Sequence, residues 1–487
     1  MDPMAIETTF QLLKNRRTKI VATLGPACRD PAIIARLITA GVNVFRLNMS
    51  HGDRAEHHTA YQHLRAAAVS AGCTVAALAD LAGPKIRVGR LKGGRITLTT
   101  GDRITLTTRD IIGDEGVIPS QYQALAQDVS PGDRILLADG VMELSVQSVA
   151  ATEVVCEVTQ GGLLKERAGM NLPGVSVSAP SLTEKDRADA RFALELGVDF
   201  LALSFVRRAA DLVELKQLVH DWGGHAAVIA KIERPEALVN SEAILECADG
   251  IMVARGDLGV ELLPEQVPVA QRQLIDRALA LNKPVIIATQ MLESMIVNAR
   301  PTRAEVADVS LSVSSGADAL MLSGETAIGA HPVVAVEMMD RIARQTESYL
   351  WQHDAFGSIG SGKQAEPPIP FGDAVADATA LLSRLLCVRA IVVISESGRT
   401  AVTVSSARPA APVIALSANQ QTYRRMSLLW GVIPMAATPK ELTNPTALAR
   451  QAVKRIEVAA PGNHILLVQG FQSDPVLNAP SITVLSV

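Results

Sequence analysis

The chain has 487 residues, 48% hydrophobic and 20% charged, with a formal net charge of −4. That length and balance predict a soluble globular protein of roughly two to four domains and exclude a disordered chain. No basic run stands out, aromatics are only 3%, and no apolar run approaches spanning length, so neither nucleic acid nor a membrane is expected as a partner.

In chain order, the N-terminal stretch MDPMAIETTFQLLKNRRTKI holds no apolar h-region, and a cytoplasmic location is expected. Residues 19–24 (KIVATL) read as a strand closed by Gly25-Pro26. Asp30 caps a helix that has Pro31 in its first position and ends at Ala40-Gly41. A second strand, 42–47, exits into Asn48-Met49-Ser50-His51-Gly52, and a helix follows from Arg54 to about residue 70. A third strand, 74–79, exits into Asp80-Leu81-Ala82-Gly83-Pro84.

The rhythm then changes. Short alternating segments at 95–100, 103–108, 134–138, 142–149 and 153–158, with turns at Gly101-Asp102 and Gly132-Asp133, predict an all-β insertion. Strand–helix alternation resumes with a helix capped at Thr183. Strand 199–203 exits at Ser204-Phe205-Val206-Arg207, and 227–230 ends on Lys231-Ile232-Glu233. Strand 250–254 ends on Arg255-Gly256-Asp257, 285–288 on Thr289-Gln290, and 317–322 on Ser323-Gly324-Glu325-Thr326; a last helix covers 331–349.

Eight strand–helix units predict an α/β fold built on a (β/α)8 TIM barrel, with an inserted all-β lid domain and a C-terminal α/β domain. An open doubly wound sheet with a decorative insertion is the alternative. The expected domains are a barrel in two parts (1–84 and 173–350), an inserted β-barrel lid (85–172), a Gly/Ser/Pro-rich linker (351–370) and the C-terminal domain (371–487). In the last, 373–386 reads as helix, and 390–394, 413–416 and 464–468 as strands.

A closed barrel pools the strand exits on one face: Arg46, Asn48, Asp80, Ser204, Lys231, Glu233, Asp257, Thr289 and Ser323. Lys231 and Glu233 are two apart and face one side if strand geometry persists. Glu233 and Asp257 can share a hard divalent cation such as Mg2+, or the charges form an ion-paired sheet rim. Arg46 suits a phosphate clamp, Lys231 a transferring group or enolate oxygen, and Thr289 a water or proton relay. Gly256 lets backbone approach a ligand. In the C-terminal domain, Ser395, Ser397, Gly398, Arg399 and Thr400 open a helix after a strand, as a phosphate cradle or a plain capping turn.

Other features read more plainly. Five scattered cysteines without CxxC spacing suggest buried free thiols in a reducing compartment. His57, His58 and His63 lack metal-ligand spacing, and Met291 to Met295 reads as packing. Arg424 and Arg425 either pair across a subunit interface or are exposed.

The exit residues lie inside phrases that resemble the pyruvate kinases: TKIVATLGPA, NVFRLNMSHG, LAGPKIR, MNLPG, LTEKD, SFVR, IAKIE, DGIMVARGDLG, KPVIIATQMLESM, PTRAEVADV and MLSGETAIG. The resemblance covers residues 18–348 and extends more loosely beyond. It implies phosphoryl transfer from phosphoenolpyruvate to ADP, giving pyruvate and ATP. It further implies that Glu233 and Asp257 bind Mg2+ (Mn2+ is the alternative ion), Lys231 faces the phosphoryl in flight, Arg46 contacts it from the other side, and Arg87 assists on the nucleotide side. Thr289, with Ser323, serves enolate protonation, and the Gly256 and Asp257 amides hold the substrate carboxylate. Asn48 and His51 lie beside the nucleotide, where a second Mg2+ travels with ADP.

Two positions depart from the family's usual pattern. Its monovalent-cation site matches Asn48, Ser50, Asp80 and the Leu81 carbonyl, but members that require K+ carry Glu where this chain has Lys85. The resemblance therefore implies that K+ is not required, the Lys85 ammonium taking its place. Ala168 stands where many members place a nucleotide-contacting Lys, which leaves that role to Arg167. A phosphorylated sugar or AMP is implied as effector at the Ser395–Thr400 loop, with residues 470–480 folding over it, and a homotetramer as the assembly. A metal-dependent aldolase would need neither the lid nor Lys231, Arg87 and His51. A catalytically dead phosphometabolite sensor would have lost one of Lys231, Glu233, Asp257 or Thr289, and all four are present.

Overall fold

The computed structural model describes residues 13–353, 355–356, 368–472 and 478–487. Most of the expected linker and the middle of the 470–480 loop lie outside the described residues. Short runs of small and branched apolar residues, buried on both faces, form strands of a parallel sheet. Eight of them close into a barrel: Lys19–Thr23, Val44–Asn48, Ala76–Asp80, Phe200–Leu203, Ala227–Ile232, Gly250–Ala254, Val285–Ala288 and Ala319–Leu322. Closure runs through the parallel register Lys19↔Ala319 to Ala22↔Leu322. The barrel sheet has no free edge, so the open-sheet alternative falls.

Local chemistry fixes where the helices begin. The Asp30 carboxylate accepts the Ala32 N–H at 2.8 Å with Pro31 in the first position. Asp53 and Thr183 each form a reciprocal cap with Glu56 and Asp186. Inside the barrel, Val21, Val44, Leu78, Ile229, Ile286 and Met321 pack as one buried cluster, and Leu428 of the C-terminal domain joins it.

The insertion is a six-stranded sheet with a separate two-stranded one around its own core. All five expected strands form. Three short ones, Val117–Pro119, Gly162–Lys165 and Met170–Asn171, were not anticipated; the first and last are too brief for a two-residue alternation to register. The chain returning from the lid is gripped by two barrel arginines. Arg207 donates to the carbonyls of Val177 and Ala179, and Arg234 Nη2 donates to the Val175 carbonyl at 2.9 Å.

The C-terminal domain holds a five-stranded sheet. Helix Phe371–Leu385 and strands Ile391–Ile394, Val413–Ser417 and His464–Gln469 match expectation. Val432–Ala436 and Ser481–Ser486 are additional and form the two edges. Pro434 masks the first of these in the sequence, yet an edge strand tolerates proline because one side needs no ladder hydrogen bond.

Arg408 ties this domain to the barrel. Its two terminal nitrogens meet the two Asp318 oxygens at 2.8 and 3.0 Å, and the guanidinium stands 5.1 Å from the Trp430 ring centre. All five cysteines are free, but only Cys28 and Cys156 are fully buried; Cys73 and Cys387 are exposed, against expectation. No helix among the described residues is long and apolar enough to cross a membrane.

Candidate active site

The site grows from the carboxyl ends of the barrel strands. Register sets Asn48 opposite Asp80 and Lys231 opposite Met252. Asp80 is fully buried, with one carboxylate oxygen 2.7 Å from Arg46 Nε and the other 3.2 Å from Lys231 Nζ. Lys231 Nζ is also 2.7 Å from Glu233 Oε1 and donates to Ser204 Oγ at 2.6 Å. The Ser204 hydroxyl passes its own proton donation to the Leu81 carbonyl at 2.7 Å. Glu233 Oε2 accepts the Phe205 N–H at 2.7 Å. The same-side placement of Lys231 and Glu233 is therefore realised, although Lys231 lies within the strand rather than beyond it.

Burial in a low-dielectric site penalises each charge, and the neighbours decide the outcome. For Lys231 burial acts downward, but Asp80, Glu233 and Asp257 outweigh it and hold the ammonium charged far above its ordinary range. For Asp80 burial acts upward, yet Lys231 and Arg46 win and keep the carboxylate below its usual range. Glu233 goes the other way: burial, reinforced by Asp257, exceeds the pull of Lys231 and raises it. Two carboxylates facing one under-compensated space fit an oxygen-seeking divalent cation.

Asp257 sits in helix Arg255–Glu261, which starts directly at the end of the sixth barrel strand. The Gly256 N–H donates to Thr289 Oγ1 at 2.7 Å, and the Thr289 hydroxyl donates to the Ala288 carbonyl at 2.6 Å. A Cβ on Gly256 would lie 3.2 Å from Thr289 Oγ1, which explains the glycine. Thr289 and Gln290 have φ of 68° and 55°, a left-handed turn that is costly for a β-branched residue. Arg255, whose part the sequence left unassigned, holds this turn. It pairs with Asp308 at 2.6 Å and donates to the carbonyls of Thr289 and Gln290 at 2.9 and 3.1 Å.

Arg46, Asn48, Ser50, Asp80, Leu81, Lys85, Lys231, Glu233, Asp257 and Thr289 line one cleft of about 70 Å³. A second, of about 250 Å³, lies between lid and barrel, takes in Arg87, and shares Lys85 and Asp257 with the first. A third, of about 480 Å³, takes in Asn48 and His51. Burial, with the nearby cations Lys85, Arg87 and Arg46, pushes the His51 imidazole below its ordinary value. Lys85 is exposed overall, yet its side chain borders the first two clefts.

Two expected residues stand apart. Ser323 lines none of these clefts, and its Oγ is buried without a partner. Arg167 is exposed with φ of 60°, and its carbonyl accepts from Arg87 Nη1 at 3.0 Å. In the C-terminal loop, Gly398 has φ of 92° and caps helix Arg399–Ser406, Ser397 Oγ accepts the Arg399 N–H at 3.5 Å, Thr400 is buried, and the buried Ser395 Oγ lacks a partner. His57 and His63 are half-buried rather than solvated, and no metal-binding cluster of His, Cys, Asp or Glu is found among the described residues.

Sequence reasoning missed three supports. Phe205 reaches Glu233 through its backbone, which leaves no side-chain signal. Asp308 lies far along the chain from Arg255. Arg234 adjoins Glu233 and was legible as a further cation, but its link to Glu261 at 2.9 Å was not.

Fold and site together define a (β/α)8-barrel enzyme with its chemistry at the carboxyl ends of the strands. The pyruvate kinase barrel-domain model matches residues 15–336, and the pyruvate kinase alpha/beta-domain model matches residues 373–480. A pyruvate kinase of Agrobacterium vitis is 43% identical over 463 residues, 94% of each chain. One of Geobacillus stearothermophilus is 44% identical over 460 residues, 93% of this chain and 78% of that one. The crystal structure of a pyruvate kinase from Cryptosporidium parvum superposes with a TM-score of 0.90 at 35% identity, covering 97% of this chain and 98% of the other. The chain belongs to the pyruvate kinase family, a family of transferases.

Proposed function

We propose that this chain moves the phosphoryl group of phosphoenolpyruvate to ADP, giving pyruvate and ATP, with a divalent cation held by Glu233 and Asp257. The observation that carries this reading is the buried relay Arg46–Asp80–Lys231–Glu233, which brings two cations and two carboxylates to one small cleft. Phosphoryl transfer needs such positioning and charge neutralisation more than covalent help. Mg2+, or Mn2+, would neutralise the enolate and phosphoryl oxygens there, and a second ion would arrive with ADP.

Lys231 and Arg46 neutralise the phosphoryl group from two sides, and Arg87 acts from the lid. Thr289, fixed by Gly256 and by its strained turn, serves the protonation step. Ser323 supports it only indirectly, since it borders none of the clefts. The Asp257 amide, and the Gly256 amide once it releases Thr289 Oγ1, receive the substrate carboxylate. Asn48 and His51 border the nucleotide space, and Arg167 shapes it by holding Arg87. The monovalent-ion set Asn48, Ser50, Asp80 and Leu81 shares its cleft with Lys85, which supports turnover without K+. Asp80 is already engaged by Arg46 and Lys231, so Lys85 serves the space and not that carboxylate. A phosphorylated sugar or AMP binding at Ser395–Thr400 would activate a cytoplasmic homotetramer. The domain limits 1–84 with 173–350, 85–172 and 371–487 complete the proposal.

Supplying ADP, phosphoenolpyruvate and Mg2+ with lactate dehydrogenase and NADH tests the reading. NADH oxidation together with ATP formation is the expected outcome. Pyruvate without ATP, or no turnover, refutes it.

A further inference from the structure

The chain returning from the lid presents the carbonyls of three alternate residues, 175, 177 and 179, to two guanidinium groups of the barrel. Arg207 donates to Val177 and Ala179, and Arg234 Nη2 donates to Val175 at 2.9 Å. Arg234 does more than grip this chain. Its Nη1 lies 2.9 Å from Glu261 Oε1, and its Nη2 lies 3.3 Å from Glu236 Oε1. The pair with Glu261 is buried, the two side chains being 8% and 2% exposed.

Chain position gives these contacts their meaning. Arg234 directly follows Glu233. Glu261 closes helix Arg255–Glu261 and stands four residues after Asp257, so the two carboxylates share one face of that helix. Arg234, Asp257 and Val177 border the same cleft under the lid. The planar fork of a guanidinium fixes the direction of each bond it makes. Removing it would leave Glu261 buried and unpaired. One side chain therefore anchors the returning lid chain and the helix that carries Asp257, and its backbone adjoins Glu233.

We propose that Arg234 is a positioning residue that couples the seat of the lid chain to the divalent-cation carboxylates, acting through Glu261 on Asp257. This role rests on Glu233 and Asp257 being the cation's ligands. Groups that orient metal ligands are worth about tenfold to a hundredfold in metal affinity. Coupling is reciprocal: where the seated chain steadies the carboxylates, a cation bound to them steadies the chain by the same factor. Arg207 grips the same chain but has no contact with Glu261, so it sets the seat without carrying the link.

The test uses Mn2+ alone on the full-length protein, without nucleotide or phosphoenolpyruvate. Electron paramagnetic resonance of free Mn2+ gives the affinity, and hydrogen exchange of residues 172–179 reads the seat of the lid chain. In the wild type, saturating Mn2+ should slow that exchange by about fivefold or more. Arg234→Gln should bind Mn2+ about tenfold more weakly and show no such protection at saturating ion, and Arg234→Lys should restore part of both. Arg207→Gln, which loosens the same chain but leaves the link to Glu261, should keep the protection. Glu261→Met, with the same two expectations, replaces Arg234→Gln if the latter no longer melts cooperatively. Wild-type Mn2+ affinity or undiminished protection in the variant lacking the link, or equal loss of protection in Arg207→Gln, overturns the proposal and leaves the metal site standing. A wild type that binds no Mn2+ overturns both.

Discussion

Lys231 Nζ lies 2.7 Å from Glu233 Oε1 while also touching Asp80 at 3.2 Å, so one buried ammonium bridges carboxylates at the ends of two barrel strands. Only Oε1 of Glu233 is held by Lys231; Oε2, which accepts the Phe205 N–H, lies outside that contact. The ammonium is thus both part of the chemistry and the counter-charge that lets the site fold.

Lys231→Met should lower kcat by about a thousandfold, the scale for losing a preorganised charge at a transition state. It should also cost roughly 3–5 kcal/mol of stability, because two buried carboxylates lose their partner. The coupled lactate dehydrogenase assay and urea denaturation read the two effects. Unchanged turnover would remove Lys231 from the mechanism.

Arg255→Ala should loosen the Thr289–Gln290 turn without removing any group that lines the small cleft. A drop in kcat of about a hundredfold is expected, the scale for a misplacement of an ångström. Asp308→Asn, which weakens the grip on Arg255, should shift kcat in the same direction by less. A lower kcat in both variants, larger in Arg255→Ala, with KM unaltered would support positioning; a wild-type kcat in Arg255→Ala would count against it.

If Lys85 replaces a monovalent ion, the wild-type protein turns over equally in potassium and tetramethylammonium buffers. Lys85→Glu should then lose activity by about tenfold without K+ and regain it on adding K+. A wild-type enzyme that stops when K+ is removed would contradict the proposal.

Lys19 yields a pH dependence of stability. Its folded value of about 7 lies below the ordinary 10.5, chiefly through burial. Between those two values the unfolded chain binds more protons than the folded one, so stability rises with pH across that window. Below about 7 both states carry the charge, and the penalty, at most a few kcal/mol, is fully present. Denaturation midpoints from pH 7 to 10 should climb for the wild type and climb less for Lys19→Met. Parallel curves would show that Lys19 is not the titrating group.

Arg408→Leu should cost about 3–5 kcal/mol and split thermal unfolding into two transitions, since Asp318 is left buried and unpaired between two domains. Pairing it with Asp318→Asn should recover part of the loss. A single unshifted transition in calorimetry would show that the domains are coupled elsewhere.

Much of this protein was written locally. Apolar runs ending in polar residues, and caps such as Asp30 and Thr183, set the strand–helix rhythm, because burial periodicity and capping act over a few residues. The placement of Lys231 and Glu233 on one face followed from the two-residue repeat of a strand. Other features needed the folded chain. The left-handed turn at Thr289 depends on Arg255 and Asp308, which meet only when the barrel closes. The strand Val432–Ala436 forms despite Pro434 because the sheet leaves it an open edge. The link of Arg234 to Val175 and Glu261 joins distant segments. Spacing along the chain carries no record of such contacts, since their energies are realised only after long loops close and water leaves the space between the elements.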